Sequence, residues 1–368
     1  MELPSSHRLP LTWLLQAASP PIQYRAYAEI VPLEQRDPQR LADLRQAALE
    51  YTVAKAIARK QRDDGLWAGD LLTTAAPTKP GPSDLGTIWQ YRRLLEMGWP
   101  SDQRPFRFAD RFLFRLLSRD EDPLLLVEFQ RPAKTDPGLG VWARAMAREA
   151  AAAALARAGR GEDPRLRGAA HRIATDMSTF LRSDVADKLF RKLQGKTVLD
   201  PSVTPPSIFA IEMLAFMPEI QRERSGFVER LGQYVSDPAP RRAFSVLAGK
   251  KLLKPTFVIL GEPMRTDAQG RAPDVPFAVY WLELLARMGI VRQVVPASRT
   301  LARLFSECDD DGIWTPNGLR ALPKTSNSSV AHYYPLEGPG KSPAQRQTDI
   351  TFRLALIARL MGMPVDVS

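Results

Sequence analysis

Cysteine and histidine are scarce in this chain of 368 residues, which holds one cysteine, Cys308, and three histidines, His7, His171 and His332. A lone thiol cannot close an intrachain disulfide, so the fold must rest on its core, and a reducing compartment suits it. Long apolar runs are missing as well. No stretch approaches the roughly 20 apolar residues a bilayer-crossing helix needs, so no transmembrane segment is expected. Residues 7–19, with Leu9, Leu11, Trp13, Leu14 and Leu15 after a weakly basic start, come nearest to a signal peptide. Pro10 interrupts them, the apolar run is short and the cleavage-like spacing is absent, so secretion is not expected and a soluble cytoplasmic protein is. The sequence also has no phosphate-cradling glycine loop, no His-Glu-x-x-His and no Ser-His-Asp arrangement, and neither a cofactor nor a metal is expected.

Proline and arginine are abundant. The net charge is +10 and the isoelectric point near 9.8. Arg92, Arg93, Arg111, Arg115, Arg144 and Arg148 are spread along helical patterns without a dense basic arm. That distribution reads as a solvated outer face, and neither nucleic acid nor an anionic membrane is expected as a partner.

The 32 prolines and 22 glycines fall between helical patterns, and their spacing exposes a repeat. Four segments end alike, at Leu94-Leu95-Glu96-Met97-Gly98, Leu155-Ala156-Arg157-Ala158-Gly159, Leu284-Leu285-Ala286-Arg287-Met288-Gly289 and Ala358-Arg359-Leu360-Met361-Gly362. A fifth, Leu214-Ala215-Phe216-Met217-Pro218, ends on proline. Glycine stops a helix by taking the left-handed cap, and proline by lacking an amide donor. The first four stops in chain order each lead into a second helical pattern, such as Phe108, Phe112, Leu113, Leu116 and Leu117. The second helices end in acidic turns, among them Asp120-Glu121-Asp122-Pro123 and Asp309-Asp310-Asp311-Gly312. Successive stops lie about 60 to 75 residues apart, one helical hairpin plus a loop. Strand-like patterning is rare, best at residues 256–260, so an all-α array is expected. Periodicity alone leaves open whether the hairpins form an open solenoid or a closed ring.

Two turns share a motif. Gln61-Arg62-Asp63-Asp64-Gly65-Leu66-Trp67 follows a helix expected over 49–60, and Cys308-Asp309-Asp310-Asp311-Gly312-Ile313-Trp314 follows one expected over 298–307. Glycine permits positive φ, the carboxylates accept exposed amides, and tryptophan packs across helices, which makes Gln61, Gly65, Trp67, Gly312 and Trp314 structural. The pattern resembles the QW repeat, Gln-x-x-Asp-Gly-x-Trp, of squalene-hopene cyclases, oxidosqualene cyclases and protein prenyltransferase β subunits. The first copy is complete, and the second has Cys308 in place of glutamine. Thr87-Ile88-Trp89-Gln90-Tyr91 and Asp349-Ile350-Thr351-Phe352-Arg353-Leu354 look like that family's inner helices, and Leu11-Thr12-Trp13-Leu14-Leu15 with residues 19–25 is similar to the entry segment of many bacterial members. The resemblance implies a single α/α toroid over 1–368, with an entry segment at 1–48, repeat hairpins at 49–314, a long loop at 315–347 and a closing inner helix at 348–362.

The resemblance also implies what chemistry would require. Class II cyclases of this family protonate an alkene or epoxide with an Asp-x-Asp-Asp acid, and this chain has none. The nearest string, Glu307-Cys308-Asp309-Asp310, leaves Asp309 and Asp310 as acid candidates, competing with a role in the turn. Asp120-Glu121-Asp122 matches a magnesium-diphosphate cluster only in composition, and Cys308, Asp310 and His332 lack the zinc spacing of prenyltransferases. His332, a third catalytic candidate, lies in the long loop beside Tyr333 and Tyr334, which are candidates for binding a ligand, and this aromatic-polar centre suits either a cavity cover or a packed loop.

Asp84, Asp274 and Asp349 each stand three residues before Thr87, Phe277 or Phe352, where an aspartate would cap an inner helix. In a closed ring these caps would gather at one mouth, and Trp89, Trp142, Phe209, Phe277, Trp281 and Phe352 would line an apolar cavity. Two readings follow. One is a toroid that takes an isoprenoid or other apolar small molecule, with or without catalysis. The other is a non-catalytic scaffold, filled by its own side chains, with a protein partner.

Overall fold

The computed structural model describes residues 2–72, 85–118, 121–183, 189–224 and 226–368. Helices dominate. In chain order they are α1 (Leu11–Ala17), α2 (Pro20–Arg25), α3 (Pro38–Glu50), α4 (Thr52–Arg59), α5 (Thr87–Glu96) and α6 (Arg104–Leu117). There follow α7 (Gln130–Thr135), α8 (Pro137–Arg157), α9 (Pro164–Arg182), α10 (Ile208–Ala215), α11 (Pro218–Arg222) and α12 (Phe227–Tyr234). The last are α13 (Val275–Arg287), α14 (Val295–Ser306) and α15 (Pro343–Leu360). Many of the prolines open helices, where the missing N–H costs nothing and φ is already helical, as in α3, α8, α9, α13 and α15.

The four glycine stops use one device. Gly98, Gly159, Gly289 and Gly362 all take positive φ, near 70–80°. In each, the residue after glycine donates back across the last turn, Trp99 to Leu94, Arg160 to Leu155, Ile290 to Leu285 and Met363 to Ala358. This is the Schellman closure, and it satisfies carbonyls that a helix end leaves open.

Strands are few and short. β1 (His7–Leu9) pairs in parallel with β6 (Val365–Val367), and β2 (Phe190–Leu193) with β3 (Lys196–Leu199) and β4 (Val246–Ala248) with β5 (Lys251–Leu253) form two antiparallel hairpins. The strand expected over 256–260 is instead a turn, with a single bridge from Val258 to Ser207. Ile259 and Leu260 are buried and Val258 lines a groove, so their apolar character serves packing and does not mark a ladder. The helix expected over 49–60 breaks at Tyr51, whose ψ of 122° ends α3 before α4 begins.

The chain divides into two compact units, one of residues 1–59, 93–100 and 264–368, the other of residues 60–92 and 101–263. In the first, α13 and α15 are the central helices, buried along Pro276–Ala286 and Thr348–Ala358. A helix buried on every side is usually uniformly apolar, yet these two carry Glu283, Asp349 and Arg353 in the interior. In the second unit, α8 packs against α6, α9 and α10. Its fully buried Ala150–Ala154 run has small side chains that let neighbouring backbones approach closely.

The two Asp-Asp-Gly-x-Trp turns, one in each unit, have the same construction. Gly65 and Gly312 share a φ of 86°. The Arg62 and Asp309 amides donate to the carbonyls of Leu66 and Ile313. The amides of Trp67 and Trp314 donate to the hydroxyls of Thr87 and Thr351, each at 3.0 Å. Both indoles are buried. A Cβ on Gly65 would lie 2.7 Å from the Phe108 carbonyl oxygen, so only glycine fits there. Gln61 donates from its amide to the carbonyls of Gly65 and Pro105, whereas Cys308, in the equivalent place, only reaches Leu304.

Candidate functional site

The second unit contains a groove of about 550 Å³, well inside the size range of small-molecule sites. One wall is a single face of α8. Leu139, Trp142, Met146 and Glu149 recur at helical spacing and all line it. Facing them is the β4–β5 hairpin, where the register Val246 to Leu253 and Ala248 to Lys251 puts Val246, Leu253 and Lys251 on one side of the ribbon. The segments 203–207 and 254–258 close the remaining sides, bringing Pro205, Ser207, Phe257 and Val258 into the lining.

Asp136 fixes the two main walls to each other. Its carboxylate caps α8 through the Leu139 amide at 3.2 Å and takes the Lys250 amide of the hairpin turn at 2.7 Å. Gly249, at φ 58°, passes so close to that carboxylate that any side chain there would collide with it. The hydrogen bond from Lys250, followed by weaker amide contacts, lowers the Asp136 pKa.

The aromatic surface has two parts. Trp142 meets Phe129 edge-to-face with centroids 6.0 Å apart. Phe257 belongs to a second cluster, 4.8 Å from Phe209 and 6.2 Å from Trp89. Behind it, the buried guanidinium of Arg92 lies over the Trp89 and Phe209 rings and pairs with Glu212, which Arg157 also approaches at 3.4 Å. Phe129 and Glu128 follow Val127, whose φ of 45° and ψ of −107° are strained for a β-branched residue. The Glu128 carboxylate accepts the Leu71 and Leu72 amides, both at 2.9 Å.

Among the polar residues of the lining, which include Glu128, Thr204 and Thr256, Glu149 and Ser207 form a bonded pair. Glu149 is half-buried on α8, and Ser207 donates its hydroxyl to Oε2 at 2.5 Å. The same hydroxyl accepts the Ala210 amide as the N-cap of α10, which leaves its proton for Glu149. Loss of hydration pushes the carboxyl up from 4.5 to about 7, against the Ser207 hydrogen bond and with help from Asp176. Near neutrality the group is therefore close to half protonated, able to donate or to accept one hydrogen bond inside an apolar groove. Lys251 and Lys254 are exposed at the rim.

Trp142 is the sequence candidate that lines this groove. Trp89 and Phe209 are buried behind Phe257, and the Trp89 indole N–H donates to the Leu72 carbonyl at 2.8 Å. Asp84 lies outside the described residues. The remaining candidates belong to the first unit. Asp274 caps α13 through the Phe277 amide at 3.0 Å and holds Thr325 and Ser326 with its other oxygen. Phe277, Trp281 and Phe352 are buried core side chains. Asp349 is not a helix cap. Helix α15 starts at Ser342 and Pro343, so Asp349 is interior, bonded to Arg353 at 2.6 Å and to the Leu336 amide at 2.7 Å.

Asp349 is part of a buried ionic network. Arg353 also nears Glu96 at 3.4 Å and stacks 3.5 Å from the Tyr333 ring centroid. Tyr333 donates to Glu283 at 2.7 Å, Glu283 binds Arg287, and Arg25 pairs with Glu96 and Glu29. Arg93 donates to the carbonyls of Ala331 and Pro335 at 3.0 and 2.9 Å. The loop holding His332, Tyr333 and Tyr334 is thus sewn into the core, with all three side chains buried. Asp309 and Asp310 are exposed in their turn, where Asp309 accepts the Asp311 and Ile313 amides. Burial, then the charges of Asp309 and Glu307, pushes the Cys308 thiol up to about 12, leaving it protonated and unreactive.

Glu149, Ser207, Phe257 and the two rim lysines went unread in the sequence. The one available signal was a glutamate on the face of α8 shared by Leu139, Trp142 and Met146. Among the described residues, no group of three or more His, Cys, Asp or Glu side chains could hold a metal ion, and no helix is long and apolar enough to cross a membrane. No protein-family model matches the chain, and neither does any curated protein or solved structure.

Proposed function

We propose that this chain binds an apolar small molecule of isoprenoid-like character in the groove between α8 and the β4–β5 hairpin, and that its hairpins build an α/α toroid resembling the squalene-cyclase and prenyltransferase proteins. The carrying observation is the groove itself, about 550 Å³ in volume, with Trp142, Phe129 and Phe257 on its walls and the hydrogen-bonded pair of Glu149 and Ser207 as a polar anchor. Such a site suits a largely apolar molecule with one hydroxyl or carbonyl. The function is binding without cyclisation, because the acid candidates Asp309 and Asp310 lie exposed in a turn. A cytoplasmic location is part of the same proposal.

Calorimetric titration with farnesol, geranylgeraniol and palmitic acid tests it. Trp142→Ala should weaken binding of the best ligand by about tenfold or more, through lost aromatic contact. Val141→Ala, at the 73% exposed neighbour on the same helix, should leave affinity unchanged. No heat of binding from any of the three, or equal affinities for both variants, would refute the site and favour a scaffold that engages a protein partner.

A further inference from the structure

The basic residues are not all dispersed along helices. Residues 190–199 and 241–254 contain eight cations, Arg191, Lys192, Lys196, Arg241, Arg242, Lys250, Lys251 and Lys254, and no aspartate or glutamate. All eight side chains are exposed. The two hairpins formed by these segments are joined by backbone bonds from Leu199 to Ser245 and from Ser245 to Thr197, at 2.9 and 3.1 Å. Phe190 packs edge-on against Phe244 at 5.1 Å, and Arg242 covers the Phe190 ring at 4.2 Å. The hairpins therefore form one continuous platform, and among the described residues none of the eight cations makes a salt bridge.

We propose that this platform is a docking surface for an anionic lipid membrane. Three observations favour lipid over nucleic acid. Leu193, Leu247, Leu252 and Leu253 are half-exposed between the cations, so the surface is amphipathic. The Arg242 guanidinium already occupies a face of the Phe190 ring and Phe244 packs edge-on against it, which leaves less open aromatic surface for a base to stack on. The platform's β4–β5 hairpin also rims the apolar groove, so docking would bring the groove mouth to the source of a poorly water-soluble ligand. This last point rests on the proposed apolar ligand, whereas the charge arrangement does not. Each cation near an anionic bilayer contributes about 1 kcal/mol, roughly a fivefold change in affinity, and the attraction fades within a Debye length.

The test is flotation of the full chain with phosphatidylcholine vesicles, with and without about 30% phosphatidylserine. Binding is expected only to the anionic vesicles and should be lost in about 0.5 M salt. Joint replacement of Arg191, Lys192, Lys196 and Arg241 by Gln should lower affinity by about a hundredfold or more, while farnesol affinity in solution stays the same. A charge-matched control replaces the exposed helical Arg45, Arg107, Arg167 and Arg172 by Gln and should bind vesicles like the parent. Both variants are first checked for unchanged denaturant unfolding. Equal binding to neutral vesicles, equal loss in the two variants, or capture of a single-stranded oligonucleotide without vesicle binding would overturn the proposal. Farnesol binding without vesicle binding defeats the docking surface alone, and vesicle binding without farnesol binding defeats the groove reading alone.

Discussion

Glu149→Gln isolates the one titratable group that the groove perturbs most usefully. In the folded chain its carboxyl titrates near 7, against 4.5 ordinarily, because the α8 face and the closing segments strip it of water. The folded state therefore holds a proton that the unfolded chain releases as pH rises above 4.5. Its stabilising contribution is complete below 4.5 and is lost progressively as pH rises through about 7. At roughly 1.4 kcal/mol per pH unit, the whole loss is about 3 kcal/mol. Glutamine keeps the shape, still accepts the Ser207 hydroxyl and does not titrate. The variant should match the parent near pH 4.5 and exceed it by up to about 3 kcal/mol at pH 8 or above. Urea midpoints measured across that range give the comparison. Binding should follow the same direction, since a neutral alcohol in the groove removes more water from the carboxylate, so the parent binds farnesol more weakly above pH 7 and the variant does not. Parallel stability curves for parent and variant over the whole range would refute the buried carboxyl.

The other expectations concern the framework. Trp67→Ala should cost about 3–5 kcal/mol in denaturant unfolding, because the indole is 1% exposed and closes a turn that Thr87 and Gln61 also hold. Unchanged stability would remove the structural role of that motif. Arg353→Met should cost a similar amount, about 3–5 kcal/mol, by leaving Asp349 buried without its cation and Glu96 with Arg25 alone. A thermal melt like the parent's would show the network to be dispensable. Asp309→Asn with Asp310→Asn should leave farnesol affinity as in the parent, with no product from a linear isoprenoid in either, and a product made only by the parent would restore an acid at that turn.

What the sequence made legible was set by local backbone chemistry. The glycine stops at Gly98, Gly159, Gly289 and Gly362 and the paired turns at Trp67 and Trp314 are fixed within a few residues, by a positive φ and a handful of backbone bonds. Such features leave a signature in the residues that form them. The groove does not, because its walls come from chain positions far apart, α8 at residues 139–149, the 203–207 segment and the hairpin at 246–258. Glu149 looks like any surface glutamate of an alanine-rich helix until Ser207 and Phe257 are brought to it. Asp349 shows the opposite error. Its spacing before Phe352 suits a cap, but Ser342 and Pro343 start α15 one and a half turns or more earlier, and an aspartate inside a buried helix then needs Arg353 at i+4. That pair is visible in the sequence, and with an acid on an apolar helix face it marks a buried ionic contact rather than a mouth. The cations on the two hairpins were hidden for a further reason. Arg191, Lys192 and Lys196 are separated from Arg241, Arg242, Lys250, Lys251 and Lys254 by the whole of α10 to α12, so their density exists only once β3 reaches Ser245. A net charge of +10 therefore describes how much positive charge there is, while its function depends on which strands the fold sets side by side.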